Sequence, residues 1–168
     1  MDENMKKRNE RLAQTVIKGL QSRNMTGYYA EDKEAALKQA LELIEENSTI
    51  SMGGCMSAHE IGLVQALQEG NYQYLDRSKM EHREGLLAAY DSDVFLSSAN
   101  SMTSDGILVN IDGNSNRVSC IAQGPKKVIF IVGMNKVCDD LDSAMKRARN
   151  VAAPINACLL CTSPSPRD

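Results

Sequence analysis

Residues 49–97 read TISMGGCMSAHEIGLVQALQEGNYQYLDRSKMEHREGLLAAYDSDVFLS, and this stretch decides the fold. Short apolar segments alternate in it with longer segments of helical period. The pattern predicts strands over 49–52, 72–75 and 94–97 and helices over 57–69 and 79–90. Strands that are separated by helices of about 10 to 15 residues are typical of right-handed crossovers in a parallel sheet.

The chain on either side extends this pattern. A tight turn at Ser104-Asp105-Gly106 leads into a predicted strand over 107–111, and the apolar run 128–132 predicts a strand buried on both faces. A last helix, with Ala144 and Ala148 on one face, should end before Pro154. Two helices are predicted upstream, over 2–24 and from an Asp32 cap to about Asn47.

We therefore expect residues 1–157 to form one α/β domain, a three-layer sandwich with a mostly parallel sheet, on which the helices of residues 1–47 pack. The length of 168 residues leaves no room for two full domains.

Composition excludes several classes of function. The net charge is −3 and aromatic residues make up 4% of the chain, so neither a basic field nor a stacking platform for nucleic acid is expected. We predict no membrane span, because no run of 18 apolar residues occurs, and we predict a cytoplasmic protein, because no signal peptide is evident.

The last eleven residues, CLLCTSPSPRD (158–168), resemble the translated read-through of a sequencing-library adapter. We interpret them as a non-native tail and discount the C-x-x-C pair of Cys158 and Cys161 as a metal or redox motif. Zinc is not expected elsewhere either, because the two histidines, His59 and His82, lack partners at ligand spacing.

The first candidate site is the passage from strand to helix at Gly53-Gly54. Ligands of open α/β sheets bind beyond such carboxyl ends of strands, and Ser57 at a helix start would direct N–H groups at a carboxylate or phosphate. A plain glycine turn with Ser57 as an ordinary N-cap explains the same residues. Cys55 could act as a nucleophile or serve as a small buried filler.

The second candidate site is the polar region 97–117. Its predicted ligand-binding residues are Asn100, Asp105, Gly106, Asn110, Asp112, Gly113, Asn116 and Arg117. Arg117 is the natural bidentate partner for a carboxylate, although turns also favour Asn, Asp and Gly. A calcium loop is not expected, since Arg117 and Gln123 stand where it needs Gly and Glu. Lys127 and Lys136 could reach a ligand at a strand end, or could simply flank an apolar strand.

Four segments together resemble the LUD-domain family, the lactate-utilisation proteins related to LutC and YkgG. They are GGCMSAHEIGLVQAL, VFLSSANSMTSDGILVNIDGNSNRV, GPKKVIFIVGMNK and NVAAPINA. The resemblance spans about 48–157 and implies a fold similar to the NagB/RpiA/CoA-transferase group. It also implies that the native chain continues past Ala157, often with a cysteine-rich end.

The resemblance further implies an accessory or small-carboxylate-binding role in the oxidation of L-lactate to pyruvate, next to iron–sulfur oxidoreductase partners. No cofactor is expected in this chain, and an iron–sulfur centre is expected only in partners or in a missing C-terminus. Two alternatives stay open: a stand-alone isomerase, hydrolase or acyl/CoA-transferase-like enzyme with Glu60 or Asp112 as base or nucleophile, and a purely structural interaction module.

Overall fold

The computed structural model of the chain describes residues 3–155. The helices are α1 Glu3–Gln21, α2 Lys33–Glu42, α3 Met56–Glu60, α4 Leu63–Glu69, α5 His82–Tyr90, α6 Asn116–Ala122 and α7 Leu141–Arg147. The strands are β1 Thr49–Met52, β2 Gln73–Tyr74, β3 Val94–Ser97, β4 Ser101–Thr103, β5 Leu108–Val109, β6 Lys127–Phe130 and β7 Val137–Cys138.

The main sheet has four strands in the order β2-β1-β3-β6, and every pair in it is parallel. The alternation of strands and helices in the sequence predicted this parallel sheet, and the prediction is confirmed. A smaller sheet, in the order β5-β4-β7, joins an antiparallel pair to a parallel one.

Helices cover both faces of the main sheet and give the predicted three layers. On one face, α2 and α4 bury Ala40, Leu63 and Leu67 against strand residues such as Ile50 and Leu96. On the other face, α5 and α6 pack Ala89 and Cys120 against Phe95. Because successive side chains of a strand point to opposite faces, Phe95 and Leu96 of β3 serve different layers.

Helix α1 docks on the turn between β4 and β5 through two glycines. A Cβ at Gly19 would lie 2.2 Å from the carbonyl oxygen of Asp105, and one at Gly106 would lie 2.5 Å from the backbone nitrogen of Leu20. Gly106 also has a φ of 85°, which glycine adopts without strain. Arg23 closes the contact with an ion pair to Asp105 at 2.8 Å.

The structure differs from the local predictions in several places. The single helix expected over 57–69 is divided into α3 and α4, because Gly62 has a φ of 76° and ends the first helical run. The polar region 97–117 contains the unpredicted strand β4 and ends at the start of the unpredicted helix α6. The last helix continues past Pro154 to Ile155, and a wide π-helical turn over Ala148–Ala152 directly precedes this part of the helix.

The strand β6 differs from expectation in its position. Val128 packs in one layer and Ile129 in the other, so both faces are covered as predicted. However, β6 lies at an edge of the sheet, since among residues 3–155 only β3 pairs with it. The proposed tail 158–168, with Cys158 and Cys161, lies outside the described residues.

Candidate functional site at the carboxyl edge of the sheet

The two glycines after β1 have different surroundings. A Cβ at Gly53 would lie 2.8 Å from Cγ of Arg117 and 3.1 Å from Cζ of Phe95, so the backbone directly after β1 packs on these side chains. Gly54 is exposed, and a Cβ there would meet nothing within 4 Å. Gly53 is therefore needed for packing, whereas Gly54 borders open space.

Cys55 follows as the N-cap residue of α3. Its side chain is 2% exposed, and burial raises the pKa of the thiol, which disfavours the thiolate that a nucleophile requires. The predicted anion site of Ser57 depended on a long helix, but α3 has five residues. An anion at this edge must therefore be held mainly by side chains.

Arg117 and Asp112 form a buried ion pair. Nε of Arg117 donates to Oδ1 of Asp112 at 2.9 Å, and the two side chains are 11% and 8% exposed. The other carboxylate oxygen, Oδ2, accepts the backbone N–H groups of Arg117 at 2.8 Å and Val118 at 2.7 Å. Asp112 thus neutralises Arg117 and also satisfies free N–H groups at the start of α6.

The remaining guanidinium nitrogens bind oxygens of the same chain. Nη1 donates to the carbonyl oxygen of Ser98 at 2.5 Å, and Nη2 donates to Oδ1 of Asn100 at 2.7 Å and to the carbonyl oxygen of Ile111 at 3.2 Å. Arg117 therefore fastens three segments to one another. This geometry favours a positioning role for Arg117 over the direct contact with a ligand carboxylate that the sequence suggested.

Lys136 lies in a 3-10 turn, Met134–Lys136, just beyond the carboxyl end of β6. Its Nζ donates to Oγ of the buried Ser98 at 2.7 Å. Burial lowers the pKa of Lys136, Arg147 and Arg117 lower it further, and Cys55 and Glu60 oppose the shift. The half-buried ammonium of Lys136 is thus held by a neutral hydroxyl.

Two further cations reach the same edge. Nη1 of Arg147, on α7, donates to the carbonyl oxygen of Asn100, and Nη1 of Arg77 donates to the carbonyl oxygen of Met52 at 3.4 Å. Among residues 3–155, none of Lys136, Arg147 and Arg77 lies within 4 Å of a carboxylate oxygen. We call these three residues the cationic edge. Because they are not neutralised by a carboxylate of the described residues, positive charge is in excess where the strands end.

The structure brings together some of the residues predicted for a site. Gly53, Asn100 and Asp112 all lie against the side chain of Arg117. The exposed Glu60, at the end of α3, attracts Lys136 and so lies near the same edge. For Asp112, the engagement of both carboxylate oxygens does not favour a role as base or nucleophile.

Other predicted residues lie elsewhere or make different contacts. Asp105 and Gly106 lie at the far end of β4 from Asn100, where they hold α1. Gly113 is exposed, Asn116 is the first residue of α6, and Oδ1 of Asn110 is buried and accepts no hydrogen bond from the described part of the chain. Their role in binding stays a prediction.

Sequence reasoning did not identify Ser98, Arg77 and Arg147 as site residues. Ser98 is one serine in a polar run, while Arg77 and Arg147 are single cations in segments that read as ordinary surface. Only the sheet topology brings them to one edge, so no local signal could have marked them.

The described cysteines do not form a ligand set for an iron–sulfur centre. Cys55 and Cys120 belong to clusters on opposite faces of the main sheet, and Cys138 lies in β7 of the small sheet. Within residues 3–155, no group of three or more His, Cys, Asp or Glu side chains is placed to hold a metal ion.

The fold and this edge define an α/β protein with a parallel sheet and a positively charged edge where the strands end. The LUD-domain family model matches residues 13–165, and the chain belongs to this family. The match also runs across residues 158–165, so the interpretation of the tail as non-native stays a prediction. No curated protein and no solved structure matches the chain. None of the helices within residues 3–155 is long and apolar enough to cross a membrane.

Proposed function

We propose that the chain binds a small carboxylate as an accessory component in the cytoplasmic oxidation of L-lactate to pyruvate. The supporting observation is the cationic edge, in which Lys136, Arg147 and Arg77 have no carboxylate partner among the described residues. Buried or half-buried cations are normally paired, because their desolvation is costly. A ligand carboxylate would supply the missing partner.

The roles of the residues follow from their contacts. Lys136 and Arg147 attract and hold the carboxylate, Ser98 orients Lys136, and Arg117 with Asp112 keeps the loops in place. Membership of the LUD-domain family supports lactate or pyruvate as the ligand. Electron transfer belongs in this proposal to iron–sulfur oxidoreductase partners, which the family resemblance implies.

Binding of L-lactate and pyruvate to the full chain, measured by calorimetry or ligand-observed NMR, tests the proposal. We expect Lys136→Gln to weaken binding by about tenfold or more, which corresponds to at least roughly 1.4 kcal/mol, near the lower end of what a hydrogen bond to a charged group contributes. Lys146→Gln is the matched control, because Lys146 is an exposed lysine on the neighbouring α7. Equal affinity in both variants would refute the site.

A further inference from the structure

We propose that the amine of Lys136 forms a reversible imine with the ketone of a small 2-oxo carboxylate that is bound at the cationic edge. The inference rests on the proposed function, since it needs a carboxylate held beside Lys136. It adds a covalent step that distinguishes a 2-oxo acid such as pyruvate from a 2-hydroxy acid such as lactate, which has no ketone.

The contacts of Lys136 suit a nucleophilic amine. Its Nζ has a hydroxyl partner, Oγ of Ser98 at 2.7 Å, and no carboxylate oxygen lies within 4 Å of it among residues 3–155. A carboxylate in contact with a lysine favours the protonated form, which has no free electron pair, so the ligand carboxylate must contact Arg147 rather than Lys136 when the amine reacts. By contrast, a desolvated lysine next to other cations is activated as a nucleophile.

The charged groups around Lys136 come from several elements. Arg117 on α6 and Arg147 on α7 disfavour the protonated amine, as does burial, whereas Cys55 and Glu60 from the α3 segment favour it. The net direction is a lowered pKa, so the neutral amine is more abundant than in an exposed lysine. The contacts of Lys136 and the charges around it therefore both favour a nucleophilic amine.

The same surroundings would orient the ligand. Arg147 uses Nη1 for the carbonyl oxygen of Asn100, and its guanidinium has further N–H groups that could hold a carboxylate. With the carboxylate bound there, a ketone on the adjacent carbon can turn towards Lys136. Ser98 contributes a hydroxyl beside the reacting atoms.

The step is balanced without an oxidant or a reductant. The electron pair of neutral Nζ forms a bond to the ketone carbon, the pair of the C=O bond moves to oxygen, and a proton passes from nitrogen to oxygen. The resulting carbinolamine loses its hydroxyl and a second nitrogen proton as one water. The product is a C=N bond, and water regenerates the amine and the ketone.

Reductive trapping tests the proposal. The full chain is incubated with pyruvate and sodium cyanoborohydride, digested, and mapped by mass spectrometry for the mass of one reduced pyruvate adduct. We expect the adduct at Lys136, in preference to Lys126, whose ion pair with Asp93 raises the pKa of Lys126. The yield should rise with pH as more Lys136 becomes neutral. Incubation with L-lactate should give no adduct.

Variants separate this proposal from the proposed function. Lys136→Arg retains the positive charge but cannot form an imine, so we expect loss of the adduct, while Lys146→Arg should keep it. Binding of pyruvate without an adduct at Lys136 would overturn the imine and leave the proposed function standing. Failure of both acids to bind would overturn the two proposals together. Equal labelling of Lys136 and Lys126 would also overturn the imine, and this mapping needs no variant.

Discussion

Arg117 is the residue on which the site most depends for its shape. Removing one partner of a buried ion pair leaves an unpaired charge, so we expect Arg117→Ala to lower the free energy of unfolding by about 3–5 kcal/mol. Urea unfolding measures this loss. The control is Arg23→Ala, whose pair with Asp105 is largely exposed and worth about 0–1 kcal/mol. Similar losses in both variants would contradict the assignment of Arg117 as a positioning residue.

Gly53 and Gly54 provide a second test at the scale of a single residue. The methyl group of Gly53→Ala would overlap Cγ of Arg117, which hydrogen bonds hold in place, so we expect a loss of about 1–3 kcal/mol. Gly54→Ala places the same methyl group in open space and should change stability by less than about 0.5 kcal/mol. Denaturant curves of the two variants check the difference. Two equally stable variants would show that the backbone at Gly53 does not pack on Arg117.

The sequence indicated that Arg117 and Asp112 lie at the site, but it did not indicate what they do there. It named Arg117 and Asp112 as candidate site residues in a turn-rich segment, and the structure places them at the centre of the edge. It did not indicate that they would bind each other, because an Arg five residues after an Asp suits both an internal pair and a ligand site. That choice depends on burial, which Ser98, Asn100 and Ile111 provide from other segments.

At the scale of elements, the docking of α1 depends on Gly19. Alanine normally stabilises an exposed helix position relative to glycine by about 1 kcal/mol. At Gly19, however, the new methyl group would lie 2.2 Å from the Asp105 carbonyl oxygen, so we expect Gly19→Ala to destabilise the chain. Hydrogen exchange should be faster in α1, whereas the exposed Gln14→Ala should leave it unchanged. A stabilised Gly19→Ala chain would show that α1 is not packed on this turn.

The elements that the sequence predicted share a simple signal. The strands β1 and β3 are short apolar runs between helices, and Asp32 caps α2 through a hydrogen bond to the Ala35 amide at 2.8 Å, as the N-cap pattern indicated. The missed elements lack that signal. The strand β4 is Ser-Met-Thr, fully buried although two of its three residues are polar.

The helix α6 was missed for a related reason. Its capping carboxylate, Asp112, lies four residues before the first helical residue, Asn116, instead of directly beside it. The intervening Gly113-Asn114-Ser115 reads as a turn, and Ser115 does adopt a left-handed φ of 57°. A cap supplied across such a loop cannot be recognised from the usual spacing.

For the whole molecule, the aspartates predict the response to acid. Hydrogen bonds from Lys126 lower the pKa of Asp93, and the backbone N–H of Ser143 lowers that of Asp140, the N-cap residue of α7. A group whose folded pKa lies below its ordinary 3.8 stabilises the fold fully above that pH. Its contribution is lost as pH falls from 3.8 through the lowered value.

We therefore expect the free energy of unfolding, from urea titrations at a series of pH values, to decline below pH 3.8. Asp93→Asn should be less stable than the parent chain above that pH. The difference in free energy of unfolding between the two chains should become smaller in acid. A stability difference that stays constant as pH falls below 3.8 would show that the ionised Asp93 carboxylate does not stabilise the fold.

The passage from β3 to β4 joins the two sheets, and it is also where the site residues meet. Ser98 and Asn100 lie in this short connection, and Arg117, Lys136 and Arg147 all bind it. The side chains that would recognise a ligand are thus the same ones that hold one sheet against the other. Substitutions that change which ligand binds at this edge would consequently also change the stability of the fold. Variants with altered ligand preference should therefore be sought in a parent chain that has first been stabilised by substitutions far from this edge.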